Sequence, residues 1–302
     1  MNWGKLGRNE GWLVIIDAKY KSLFLFPAVG ITIGLFCISS FAASLGGQEV
    51  IAWLGATAVS IVLPAIIIYL IAGDVYTTSE NLPLFLLIAA VGVMVVCWEQ
   101  FIEGTSGWAP TLVAVASGLL VILYVFWYSR FGRHPSSQLV VGGMLPEFSL
   151  KLIDGSTFTS AMLLGAPALI IFYRGNWCPV CMAQIKDIVG RYRDFEKLGM
   201  KAVLISPQPY EHSQNLSVRY NSPVIVAVDE NNQVAEELGI AIKNGLPIST
   251  SGSNVSDTVL PTLLVTNQRG TILFADQTDN YRVRPDPEVI LAILRRAGIK
   301  SK

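Results

Sequence analysis

Two cysteines one helical turn apart, Cys178 and Cys181, lie in the run Trp177-Cys178-Pro179-Val180-Cys181. Such a pair can perform thiol–disulfide exchange: one sulfur attacks as a thiolate and the other closes or opens the bridge. The apolar run Ala168-Leu169-Ile170-Ile171-Phe172-Tyr173 just upstream reads as a strand ending in a short turn. Pro179 suits the first position of a helix, where the N–H it lacks is not needed. Cys178 then stands at a helix N-terminus, where unpaired N–H groups and the helix dipole favour an anion. Arg174, four residues upstream, adds a positive charge. Both effects pull Cys178 below the ordinary thiol value of about 8.5. The expectation is an exposed, acidified nucleophile at 178, with Cys181 deeper and suited to resolve it. The plainer alternative, two inert core cysteines, sits poorly with the flanking Trp177 and Pro179.

The other two cysteines, Cys37 and Cys97, lie in long apolar runs. Both are placed towards the face of those runs remote from the C-terminal half, which argues against a dithiol relay to Cys178 and Cys181. A structural zinc site needs about four ligands. The polar half offers Cys178, Cys181, His134 and His212 without a second close pair, so neither metal nor cofactor is expected. Zero formal net charge, and no basic stripe interleaved with aromatics, argue against a nucleic-acid partner.

The elements around the motif divide by charge. The chain has 302 residues, 52% hydrophobic and 15% charged, yet no Lys or Arg occurs from Ser22 through Ser129. Four basic residues precede that block and eighteen follow it. Within it, apolar runs from Leu23 to Leu45, Val50 to Ala72, Leu82 to Trp98 and Ala109 to Tyr128 approach or exceed the ~20 residues that cross a bilayer. Pro83 and Pro110 fall at helix starts, and Pro64 is placed to kink the second run. Gly30 and Gly34 have the spacing of a close helix contact, while Glu99 and Glu103 read as a solvated loop. Residues 1–129 are thus expected to form a four-span transmembrane α-helical bundle. Lys5, Arg8, Lys19 and Lys21 before the first span, with Arg130 and Arg133 after the last, place both ends in the cytoplasm. The expected setting is an integral membrane protein in a lipid bilayer of bacterial plasma-membrane type, the outer side being the alternative for the C-terminal half.

Residues 130–141 read as a linker, reaching at most about 40 Å when extended. Residues 142–302 then alternate strand-like and helical runs, as an α/β domain requires. Strands are expected at Phe148–Leu152, Leu169–Tyr173, Ala202–Ile205, Val224–Val228, Leu263–Thr266 and Ile272–Ala275. Helices are expected at Pro179–Leu198, Ser213–Tyr220, Gln233–Leu238 and Pro287–Ala297. Gly245 to Asp257 reads as a mobile insertion. A dithiol opening the helix after an early strand is the arrangement of a thioredoxin-like fold.

Several blocks carry a closer resemblance. Phe172-Tyr173-Arg174-Gly175-Asn176-Trp177-Cys178-Pro179-Val180-Cys181 resembles the active-site signature of the peroxiredoxin-like branch of the alkyl hydroperoxide reductase/thiol-specific antioxidant family. Pro146-Glu147-Phe148-Ser149-Leu150 with Asp154-Gly155, Ile205-Ser206-Pro207-Gln208 with Glu211-His212-Ser213, Asp229 through Gly239, and Tyr281-Arg282-Val283-Arg284-Pro285 follow in the family's order. The resemblance implies a thioredoxin-like redoxin with Cys178 and Cys181 catalytic, and Arg174, Trp177, Pro261 and Arg284 supporting. It implies that Leu260–Pro261 is a cis peptide facing the dithiol. Typical members place Thr or Ser three residues before the attacking Cys; here Gly175 stands there, which puts efficient peroxide reduction in doubt.

What the resemblance implies about activity stays open between two chemistries. Cys178 attacks a peroxide and Cys181 closes the bridge, or Cys178 attacks a protein disulfide and Cys181 releases it. In either case an external dithiol, such as a thioredoxin-like protein, is the redox partner. A third possibility makes the dithiol a switch on the helical half.

Overall fold

The computed structural model describes residues 6–104, 106–220, 223–246 and 257–299. The chain forms two compact units, Leu23–Arg130, and Phe131–Lys302 together with Met1–Ser22.

Helices α1 (Leu6–Ser44), α2 (Val50–Ser60), α3 (Val62–Ala72), α4 (Pro83–Trp98) and α5 (Trp108–Leu123) come first. Among the described residues they yield four rods long and apolar enough to cross a membrane: Lys19–Ser44, Val50–Ala72, Pro83–Glu103 and Trp108–Tyr128. The second rod breaks at Ile61, between α2 and α3. Pro64 has no N–H for the carbonyl of Ser60, and its ring crowds that carbonyl. The third rod is longer than the sequence pattern allowed. A π-helical turn, Glu99–Glu103, continues α4, so both glutamates are helical and Glu99 is buried rather than in a solvated loop.

Close packing in this unit falls on glycines other than Gly30 and Gly34. A Cβ on either of those would meet nothing within 4 Å, whereas one on Gly92 would lie 2.6 Å from Val59 Cγ2 and 2.8 Å from the Gly55 carbonyl. Small residues let α2 and α4 touch backbone to backbone. Ser60 and Ser117 share a buried 3.0 Å hydroxyl hydrogen bond between α2 and α5. Leu54, Ile68, Leu84, Met94, Leu112 and Leu119 are exposed.

The second unit is built on a seven-stranded mixed sheet. Its strands are β1 (Ser149–Leu152), β2 (Thr157–Thr159), β3 (Ala168–Phe172), β4 (Lys201–Ser206), β5 (Ile225–Val228), β8 (Thr262–Thr266) and β9 (Ile272–Asp276). They lie in the order β2-β1-β5-β4-β3-β8-β9, while β6 (Ala241–Ile242) and β7 (Thr258–Val259) pair separately. β3, β4 and β5 are parallel, and β8 runs antiparallel to β3. Helices α6 (Pro179–Gly190), α7 (Tyr192–Lys197), α8 (Tyr210–Tyr220), α9 (Gln233–Glu237) and α10 (Pro287–Arg296) complete it. The unit β3–α6–β4 followed by β8–β9–α10 is the thioredoxin-like arrangement. All five residues of β3 are buried, as a central strand covered on both faces requires. Each large apolar side chain there stabilises by about 1.5–3 kcal/mol.

The single helix expected from Pro179 to Leu198 breaks at Arg191, directly after Gly190. Of the residues that recur at helical spacing and are expected as one buried stripe, Ile185, Ile188 and Phe195 are buried, while Val189 and Tyr192 are only half-buried. Residues 247–256, most of the expected insertion, lie outside the described residues.

Residues 131–145 are not slack. Phe131 N donates to the Asp279 carbonyl, Arg133 N to Asp279 Oδ1, and Ser136 N to Gln277 Oε1, at 2.9, 2.7 and 2.7 Å. Leu139 is fully buried in the core with Phe148, Phe158 and Ile272. Gly142 N donates to the Ile272 carbonyl, and Ile272 N to the Gly143 carbonyl, both at 2.8 Å. This strap lies along the outer side of β9 before the chain turns into β1.

Candidate functional site

β3 delivers the chain to the dithiol. Tyr173 extends the strand by donating its N–H to the Ile205 carbonyl of β4, and the chain then turns through Gly175. Its φ of +145° lies where L side chains rarely fit. The loop is pinned by Gln208, which is buried just after β4. Its Oε1 accepts from Asn176 N at 2.8 Å, and its Nε2 lies 3.0 Å from Tyr173 Oη, 3.1 Å from Asn176 Oδ1 and 3.2 Å from Ser213 Oγ. Asn176 Nδ2 donates to the His212 carbonyl, so the backbone of His212, not its ring, meets the loop.

Cys178 is the N-cap of α6, with extended backbone, and its carbonyl accepts the first helical bond from Met182 N. Pro179 occupies N1, as its fixed φ favours. Both thiols are free. Cys178 is held well below its ordinary value, at about 6. The first cause is hydrogen bonding from the Cys181 side chain, which outweighs burial; Arg174, the Cys181 backbone N–H and Arg284 add to it. Cys181 is pushed up by its bond to Cys178, by burial and by the neighbouring thiolate charge. The environment thus splits the pair into one thiolate and one thiol, as opposed roles require.

One expectation is corrected. Cys178 is 5% exposed and Cys181 3% exposed, so the attacking sulfur is as buried as its partner. It is turned to its hydrogen-bond donors and the two guanidiniums rather than to open solvent, which is where its acidity comes from.

The supporting residues fall around this pair. The Arg174 guanidinium lies 4.6 Å from the centroid of the Trp177 ring and 5.9 Å from that of Phe131, and donates to the Gly245 carbonyl at 2.5 Å. Arg284 is buried, donating from Nε to the Tyr281 carbonyl and from Nη1 to the Pro261 carbonyl at 3.4 Å. Pro261 lies directly before β8, but the cis peptide expected there is not found: among the described residues no peptide bond is cis. The Leu260–Pro261 bond is trans, the form an X–Pro bond prefers by about 0.5–1 kcal/mol unless its surroundings select the other.

Trp177 explains Gly175. A Cβ at 175 would lie 2.6 Å from the indole Nε1 and 2.8 Å from Cδ1. The room that a hydroxyl-bearing side chain would need is filled by the tryptophan two residues on.

Sequence reasoning passed over Phe131 and Arg133. Arg133 Nη1 donates to the Pro261 carbonyl at 2.9 Å and Nη2 to Thr262 Oγ1 at 2.7 Å. Burial lowers its pKa to about 10, with Asp276 and Asp279 opposing that and Arg284 adding to it. The basic residue after an apolar run signalled topology, and nothing in its spacing signalled contact with a turn 128 residues away.

Comparison with known proteins finds similarity confined to this unit. The profile of the AhpC/TSA family matches residues 141–275. A chloroplastic peroxiredoxin Q from Populus jackii is 30% identical over 95 residues, 32% of this chain and 45% of the relative. A putative peroxiredoxin bcp from Helicobacter pylori strain J99 is 31% identical over 98 residues, 32% of this chain and 64% of the relative. The chain thus spans about half the length of the first of these relatives and under two thirds of the second. Among solved structures, peroxidoxin BcpB from Mycobacterium tuberculosis aligns with a TM-score of 0.44 at 19% identity, over 56% of this chain and 100% of that one.

Proposed function

With residues 141–275 carrying an AhpC/TSA family domain, we propose that the protein is a membrane-anchored thiol peroxidase whose dithiol is Cys178 and Cys181. The observation that carries this is the acidified Cys178 at the start of α6, bonded to a Cys181 that keeps its proton.

The Cys178 thiolate attacks one peroxide oxygen and the O–O bond breaks. The other oxygen leaves with the bonding electron pair and takes up a proton, giving water or an alcohol, while Cys178 becomes a sulfenic acid. Cys181 sulfur then attacks Cys178 sulfur, and the hydroxyl departs with the Cys181 proton as water, leaving a disulfide. An external dithiol, such as a thioredoxin-like protein, returns both sulfurs to thiols by exchange and is itself oxidised. Arg174 and Arg284 hold the thiolate in its reactive form. The four apolar helices anchor the redoxin to a lipid bilayer, with the basic residues at both ends on the cytoplasmic side.

A second reading is exchange with protein disulfides. It is favoured by the indole of Trp177 occupying the space beside Gly175, where a peroxide-binding hydroxyl has no room.

The test uses the full-length chain in lipid or detergent. Hydrogen peroxide is consumed with a dithiol reductant, and Cys178→Ser abolishes consumption; consumption undiminished in that variant ends the first reading. Reduction of insulin-type disulfides without loss of peroxide moves the assignment to the second. Labelling of single-cysteine variants from each side of the membrane tests the orientation.

A further inference from the structure

Two residues of the strap reach the surroundings of Cys178, although neither lies near it in sequence: Phe131 meets Arg174, and Arg133 shares the Pro261 carbonyl with Arg284. Arg174 and Arg284 are the two cations that act on the Cys178 sulfur, alongside the Cys181 thiol and backbone N–H. Each is braced from the strap. The Arg174 guanidinium has aromatic neighbours in Trp177 at 4.6 Å and Phe131 at 5.9 Å, both within the reach of a cation–π contact. Its Nε is buried with no hydrogen-bond partner, and among the described residues its side chain donates only to the Gly245 carbonyl, which leaves its position to the rings. Arg284 holds the Pro261 carbonyl, which also accepts from Arg133. Arg133 in turn bridges that carbonyl to Thr262 Oγ1, the first residue of β8, and Thr262 Oγ1 donates back to the Leu260 carbonyl at 2.8 Å. Arg133 is fixed at its own backbone by Asp279 and faces the charges of Asp276, Asp279 and Arg284.

We propose that Phe131 and Arg133 are positioning residues for the dithiol: Phe131 backs Arg174, and Arg133 clamps the Pro261–Thr262 turn on which Arg284 rests. The attacking thiolate then depends on a segment that begins three residues after the last apolar helix ends. Its reactivity is set partly by a part of the chain that also ties the redoxin to the helices. This rests on Cys178 being the attacking thiolate, but not on peroxide being the substrate.

The test is the pH dependence of iodoacetamide alkylation at Cys178 in the full-length protein, followed at that residue by peptide mapping. Alkylation needs no peroxide and no reductant, so its outcome is separate from that of the peroxidase assay. In the unaltered protein the midpoint is expected near 6. Phe131→Leu keeps apolar bulk but removes the ring face, and Arg133→Ala removes the clamp. Each is expected to raise the midpoint by about half a unit or more, a roughly threefold loss of thiolate at acid pH. Phe131→Tyr, which keeps the ring, is expected to keep the midpoint. Midpoints unmoved in both Phe131→Leu and Arg133→Ala, with or without a fall in melting temperature, overturn the proposal and leave the strap a structural brace. A Phe131→Tyr midpoint displaced as far as that of Phe131→Leu overturns the role given to the ring.

Discussion

Cys181→Ala isolates the largest cause of Cys178 acidity. The hydrogen bond from the Cys181 side chain lowers the Cys178 pKa more than the charges of Arg174 and Arg284 do. A hydrogen bond to a charged group contributes about 1.5–3 kcal/mol. At 1.36 kcal/mol per pH unit, its removal raises the Cys178 pKa by about one to two units. Starting from about 6, the thiolate fraction at pH 7 falls from about 90% to between about 50% and 10%. The sign fixes the shape of the curve. Because the pKa is depressed in the folded protein, the thiolate and the stability it lends are full above the unfolded thiol value and are lost as pH falls through about 6. Alkylation of Cys178 in the variant should therefore be slower by about ten- to a hundredfold at pH 5 and unchanged above about pH 9. Cys181→Ser keeps a hydroxyl donor and should fall between the two. Coincident alkylation profiles for Cys181→Ala and the unaltered protein would refute the claim that the partner thiol acidifies the nucleophile.

Two further substitutions test the packing. Gly175→Thr forces a side chain onto a backbone with φ +145° and within 2.6 Å of the Trp177 indole; about 1–3 kcal/mol of strain is expected, read as a lowered melting temperature. Combining it with Trp177→Ala should recover the part due to the clash, and equal losses in both backgrounds would show that the indole is not the obstacle. Gly92→Leu drives atoms into Val59 and the Gly55 carbonyl, costing about 1–3 kcal/mol, whereas a Cβ at Gly30 meets nothing within 4 Å, so Gly30→Leu should leave detergent stability unchanged. Equal loss at both positions would contradict the α2–α4 crossing.

Much of the redoxin unit was legible because its signals are local. Ala168–Phe172 is continuously apolar where a central strand must be, and Pro179 marks a helix start directly after Cys178. The stripe of Ile185, Ile188 and Phe195 carried the helical period across the break at Arg191, which is why the break itself was invisible. What the sequence hid depends on distant partners. Gln208 looks like any polar residue after a strand until the Asn176 N–H is brought to it. The Gly30 and Gly34 spacing was visible, but Gly55 and Gly92 lie on different helices and share no spacing to read. The length of the third rod was hidden too, because Glu99 and Glu103 interrupt the apolar run while the helix continues through a π turn. Burial of Cys178 follows from tertiary contacts that no local pattern announces.

The path of residues 142–145 has a consequence for solubility. A sheet ends in strands whose outward N–H and C=O groups can recruit a second chain. On one side of this sheet the terminal strand β2 is only three residues long. On the other, Gly142, Gly143 and Leu145 take up hydrogen bonds at the start of β9, and Met144 bridges Thr271. Copies brought to high local concentration would otherwise meet flank to flank. Here one flank is stubby and the other is partly occupied by the protein's own backbone, so neighbouring copies are denied a long template for intermolecular pairing.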